Sequence, residues 1–142
     1  MKSFFFVFLY IFSVRFCCEA QEAKGRSFEV PLSCELAFDK VIDLALNEDF
    51  FISNVDRKTN FLQMNKLSYK SKNGLISNGK RLTYNFVIRK KDELTSVVFL
   101  QVKIEDNLYK NYVSYYVDKG ITNDTSYYNS IIKRLNHIIQ FK

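Results

Sequence analysis

The stretch RLTYNFVIRKKDELTSVVFLQVKI, from Arg81 to Ile104, constrains the fold more than any other part of the chain. It holds two runs of alternating character separated by a polar, charged break at Lys90 to Glu93. Successive side chains of a strand point to opposite faces, so Leu82, Tyr84, Phe86 and Ile88 share one side of the first run. Leu94, Val98, Leu100, Val102 and Ile104 share one side of the second, with Ser96 as the polar exception. Two such runs predict an antiparallel hairpin whose apolar sides form a wall of the core.

The flanking segments supply what that wall needs. Ser27 to Val30 reads as a short strand ended by Pro31, which lacks the amide a ladder uses. A helix is expected from Cys34 to Leu46, with Ser33 as N-cap, Glu35 at its positive end, and Leu36, Val41, Leu44 and Ala45 near one face. Asp49 to Val55 and Asn60 to Leu67 read as strands around the polar turn Asp56 to Thr59. Leu62 and Met64 point inward in the second of these; in the first, either Phe51 and Val55 or Phe50 and Ile52 do. Ser68 to Lys80 reads as a loop. A turn near Glu105 to Asn107 then leads to a Tyr-rich strand from Leu108 to Val117. The closing helix runs from Thr125 to Gln140, with Asp124 as cap and Tyr128, Ile131, Leu135, Ile138 and Ile139 at helical spacing. The order β-α-β-β-β-β-β-α predicts an α+β two-layer sandwich: an antiparallel sheet of about five to six strands against two helices.

The run FEVPLSCELAFDKVIDLALNEDFFISNVDRKTNFLQM, followed by paired long strands and a terminal helix, resembles the small envelope domains of BamC-like lipoproteins. It equally resembles helix-grip ligand-binding domains of the START or Bet v 1 type. The resemblance is one of topology over most of the chain and implies the two-layer fold; it brings no functional residues with it. The chain is shorter than helix-grip domains and has no second early helix, which argues against a large internal cavity.

The N-terminus reads as an address. Lys2, the apolar run Phe4 to Val14 and the sequence Cys18-Glu19-Ala20 predict a secretory signal peptide over residues 1–20, cleaved after Ala20. Eleven apolar residues fall short of the roughly 20 that a spanning helix needs. Lipid attachment at Cys17 or Cys18 is the second reading, with Arg15 and Phe16 standing where such processing sites want small residues. Either route predicts an exported protein in the periplasm, cell envelope or extracellular space, with residues 21–26 as a lead-in and 27–142 as one domain. Cleavage leaves only Cys34, so no disulfide framework forms within one chain.

Charge is more informative when located than when summed to +6. From Arg57 to Lys91 there are ten bases and no acid. Arg57, Lys58, Lys66, Lys70, Lys72, Lys80 and Arg81 are candidates for an edge that attracts an anionic surface, such as lipid head groups or polysaccharide. Lysines on strands and loops also deter sheet aggregation, which accounts for them without a ligand. No nucleic-acid-binding pattern accompanies the charge, and none is expected of an exported protein.

Catalytic and metal chemistry find little footing. His137 is the single histidine, and no CxxC, HExxH or GxSxG pattern exists. Glu35, Asp39 and Asp43 recur every four residues, as on the solvated face of an amphipathic helix. No catalytic residue, cofactor or metal is expected. Asn123-Asp124-Thr125 matches the N-glycosylation sequon.

If Leu82 to Ile88 alternate inward, Val87 points out, and by the same count so do Val97, Phe99, Tyr112 and Tyr116. Such a cluster on a sheet face fits a protein partner or a second copy of the chain. The expected function is therefore that of a non-catalytic accessory protein binding another macromolecule through its sheet face. The alternative is a carrier of a small apolar ligand between sheet and last helix, lined by Tyr84, Phe86, Leu100 and Leu135.

Overall fold

Alternation within each strand sets the inner wall of the molecule. The computed structural model describes residues 25–69, 71–72, 75–76 and 79–140, with the backbone alone at 71–72 and 75–76. In chain order the elements are β1 (Arg26–Val30), α1 (Cys34–Asn47), β2 (Phe51–Asp56), β3 (Phe61–Ser68), β4 (Ser71–Lys72), β5 (Leu75–Ile76), β6 (Lys80–Lys90), β7 (Ser96–Lys110), β8 (Val113–Ile121) and α2 (Thr125–Gln140). The fold is α+β, a six-stranded antiparallel sheet with two helices on one face; β4 and β5 pair separately as a small hairpin. The signal peptide, Cys17, Cys18 and Lys70 lie outside the described residues.

The sheet order is β1-β7-β6-β3-β2, and β8 also pairs with β7. Arg26 to Val30 occupy Leu100 to Ser96 of the long strand, whereas Val113 to Ile121 occupy Lys110 to Lys103. The two share one edge of β7, end to end, because β6 fills the other edge. Val102 sits at the seam between them. Its carbonyl accepts from Thr122 N at 2.9 Å, and its amide donates to the Tyr128 hydroxyl at 3.4 Å. That hydroxyl donates in turn to Thr122 O at 2.8 Å, so a buried helix residue satisfies backbone groups that neither strand reaches.

The inner face carries Leu62 and Met64 of β3, Leu82, Tyr84, Phe86 and Ile88 of β6, and Val98, Leu100, Val102 and Ile104 of β7, all buried. Against them pack Ala37, Phe38, Val41, Leu44 and Ala45 of α1, and Tyr128, Ile131 and Leu135 of α2. Ser33 caps α1, its Oγ accepting from Leu36 N at 3.5 Å, and Asp124 accepts from Ser126 N at 2.9 Å at the start of α2. Arg134 of α2 pairs with Glu48, tying the end of α1 to the second helix.

Several expectations need correction. Leu94 is 77% exposed: it lies in the β6–β7 loop, where its amide donates to the Asp92 carboxylate at 2.9 Å, and β7 begins with the buried Ser96. Leu36 faces solvent, and Ala37 and Phe38 take its place in the core. Of the two alternatives for β2, Phe50 and Ile52 are the pair that turns inward, whereas Phe51 is 72% exposed, and a register shift between Ile52 and Asn54 breaks the alternation. The turn is not at Glu105 to Asn107. β7 continues to Lys110, and Asn111 and Tyr112, both with positive φ (53° and 64°), form the two-residue loop facing β8. Positive φ at both central residues is the requirement of a type I′ hairpin turn.

Candidate binding surface

The cross-strand register turns single outward residues into rows. Phe61 pairs with Val87, Val87 with Phe99, and Phe99 with Ser27, so an apolar row crosses β3, β6 and β7 to reach β1. One step along the strands, Gln63 pairs with Asn85 and Asn85 with Gln101, a row of three amides. Gln63 Nε2 donates to Asn85 Oδ1 at 2.8 Å, and Ser53 Oγ donates to Gln63 Oε1 at 2.9 Å, which fixes the orientation of the row. On the other side of the apolar row Arg89 pairs with Val97 and Val97 with Glu29. The Arg89 guanidinium stacks 5.4 Å from the Phe99 ring centre. Strands spaced about 4.8 Å apart and residues rising about 3.4 Å make these rows parallel bands roughly 7 Å apart.

Between the bands lies a groove of about 500 Å³, lined by both rows, Arg89, and the chain at Gly25 to Ser27. That volume falls within the roughly 300–1,000 Å³ of ligand sites. Gly25 closes one end. A Cβ there would stand 2.8 Å from Leu100 O and 2.9 Å from Gln101 Cγ, so only glycine lets the chain pass this close to β7. Both helices pack on the opposite face, and among the described residues nothing covers the groove. Phe99 is 41% exposed.

Val87, Val97 and Phe99 therefore lie on the outer face. Tyr116 lies there too, further along, where Arg81 Cζ stacks 4.3 Å from its ring. Arg81 donates to Glu105 at 2.6 and 2.9 Å, holding that carboxyl below its ordinary range. Tyr112 does not join the face. It is the tip residue of the β7–β8 turn and 93% exposed, because the strand runs past the expected turn. Phe61 and the amides complete the surface. The alternation of β3 points Phe61 and Gln63 outward, but their place in the rows follows only from pairing.

The basic residues are distributed over both ends of the sheet. Arg57 pairs with Asp39 of α1 at 2.8 Å, and Lys58 sits in the β2–β3 turn. Lys66, at the far end of β3, donates to Glu48 O at 3.1 Å and stands over the Phe50 ring. Lys80 lies 4.0 Å from Asp106, and Arg81 is engaged by Glu105. Lys72 belongs to β4. Antiparallel pairing sets Arg57 and Arg81 at opposite ends, so adjacency in sequence does not become one patch.

Tyr84, Phe86, Leu100 and Leu135 are buried in the single core cluster between sheet and helices. Burial pushes the Tyr84 hydroxyl up to about 12. A ligand held at these four residues would have to displace them from their packing. Cys34 is half-buried; its Sγ donates to Ile88 O at 3.5 Å, and burial, with Glu35 beside it, raises the thiol. Among the described residues no three His, Cys, Asp or Glu side chains are grouped to hold a metal ion, and no helix is long and apolar enough to cross a membrane. Asn123 is exposed just before α2.

No family model matches the chain, and no curated protein matches it in sequence. Among solved structures it is similar to the crystal structure of a DUF4468 family protein from Bacteroides ovatus ATCC 8483, with 14% identity over 81% of this chain and 78% of that one and a TM-score of 0.37.

Proposed function

We propose that this chain is a non-catalytic, exported or envelope-associated accessory protein that binds another macromolecule through the outer face of its sheet. The observation that carries the reading is the uncovered Phe61–Val87–Phe99 row lying beside oriented amides in a groove of about 500 Å³. An apolar strip flanked by polar groups has the anatomy of an interface, in which the strip supplies desolvation and the polar rim supplies orientation. The export setting rests on the leader-like N-terminus. The carrier reading has less support, because Tyr84, Phe86, Leu100 and Leu135 fill the space a ligand would need.

The substitution Phe99→Lys tests this. The expected result is a fold retained with a stability loss of about 1 kcal/mol or less in urea, together with loss of association, whether with a partner isolated from the native envelope or with a second copy seen by sedimentation. Global unfolding of Phe99→Lys, or full retention of association, contradicts it.

A further inference from the structure

The chemistry of the groove narrows the kind of macromolecule, on the premise that the outer face is the binding surface. β3, β6 and β7 each have neighbours on both edges, so the backbone beneath the groove is consumed by the ladders. Of the strands lining the groove only β1, at the rim, has a free edge among the described residues, so across the floor formed by β3, β6 and β7 an extended peptide cannot be added as a further strand and recognition falls to side chains. The apolar row offers ring faces and branched carbons. Each amide beside it presents two N–H donors and an oxygen with two lone pairs, and the Ser53–Gln63–Asn85 bonds use only some of these. A ligand that satisfies both bands needs an apolar C–H face and, about one band away, closely set groups that donate and accept. A sugar ring has that character: its C–H face stacks on aromatic rings, and its hydroxyls both donate and accept.

Arg89 adds a charge requirement. Among the described residues no Asp or Glu lines the groove. Arg57, Arg81 and Arg134 each meet a carboxylate, whereas Arg89 meets none among the described residues and is held only by its stacking on Phe99. Glu29, two strands away in the same row, is engaged by Lys91 at 2.5 Å. A guanidinium placed over an aromatic ring at the mouth of a groove without acids is suited to an oxyanion, which it can meet with two parallel hydrogen bonds. We infer that the groove binds an acidic oligosaccharide, with sugar rings over Phe61, Val87 and Phe99, hydroxyls on the amide row, and a carboxylate or sulfate at Arg89.

The test is binding of the purified protein to a panel of oligosaccharides in which each uronate- or sulfate-bearing member is matched by its neutral parent. An aspartate-rich peptide of equal charge is included. Acidic members should bind at least tenfold more tightly than their parents, as expected for a charged hydrogen-bonded pair, and the difference should shrink with added salt. The uronate and sulfate arms identify which anion Arg89 accepts. Arg89→Gln should abolish the preference for acidic members over their neutral parents; Phe99→Lys and, as a second variant in the same row, Phe61→Ser should abolish binding of all members. Absence of sugar binding, equal affinity for acidic and neutral members, or equal binding of the peptide overturns the assignment. If the sugars fail while Phe99→Lys still abolishes association with a partner, only the ligand class is wrong. If Phe99→Lys leaves that association intact, the outer-face reading falls with it.

Discussion

The two faces of one sheet are specified in different ways. The inner face is written strand by strand: from Leu82 to Ile88 in β6 and from Val98 to Ile104 in β7 every second residue is apolar, and each of these is buried. The outer face acquires meaning only across strands. Phe61, Val87 and Phe99 lie far apart in sequence and form a row because pairing sets them opposite one another. The inner face is thus legible locally, whereas the outer face, on which the proposed binding rests, depends on register.

The sharpest way to break this contrast is to truncate one aromatic on each side. Phe86→Ala, in the core, should cost about 3–5 kcal/mol in urea unfolding, whereas Phe99→Ala should cost about 1 kcal/mol or less, the scale of cross-strand pairs. Comparable losses would mean that the outer row is also core.

Alkaline unfolding reaches Tyr84 on the inner face. Tyr84 has a folded value of about 12 against an ordinary value near 10, so the folded state holds its proton more tightly. Its contribution is fully present below pH 10 and is lost as pH rises from 10 to 12, a total of about 2–3 kcal/mol. Tyr84→Phe should flatten that part of the stability profile.

The seam at Val102 gives an intermediate effect. Tyr128→Phe leaves the Val102 amide without its partner and should destabilise by about 1–3 kcal/mol, with faster amide exchange at Val102. Unchanged exchange would show that the hydroxyl is dispensable there.

Much of this was readable in advance, and the failures have physical causes. The helices, the central hairpin and the inward sets of β3 and β6 follow from periodicity. Leu94 misled because its apolarity continued the pattern, whereas Asp92 had already drawn the backbone into a loop. Asp106-Asn107 carried turn composition yet lie within β7, where Asn107 N donates to Gly79 O at 2.8 Å. The turn formed instead at Asn111-Tyr112, a pair hidden because a bulky residue with φ of 64° is unexpected. The rows of the outer face were only half visible. Alternation points Val87 and Phe99 outward, but the sequence holds no statement of which residue of β3 lies opposite them.

Tyr112 yields the smallest effect. Its left-handed backbone costs roughly 1–2 kcal/mol, part of which a glycine would return as added freedom in the unfolded chain. Tyr112→Gly should therefore stabilise the protein by up to about 1 kcal/mol, measured by urea midpoint, with no change in the binding properties of the groove. Destabilisation would indicate that the exposed ring has a structural contact.

Native-state thiol labelling tests the central claim most directly. In a chain beginning at Gln21 and carrying Cys34→Ser, cysteine is placed in turn at Phe99 and at Leu100, adjacent residues on opposite faces. The account predicts that Phe99→Cys reacts at nearly the rate of a free thiol and that Leu100→Cys reacts only as fast as the protein unfolds. Equal protection of the two would contradict it, because the outer face would then be covered in the free molecule.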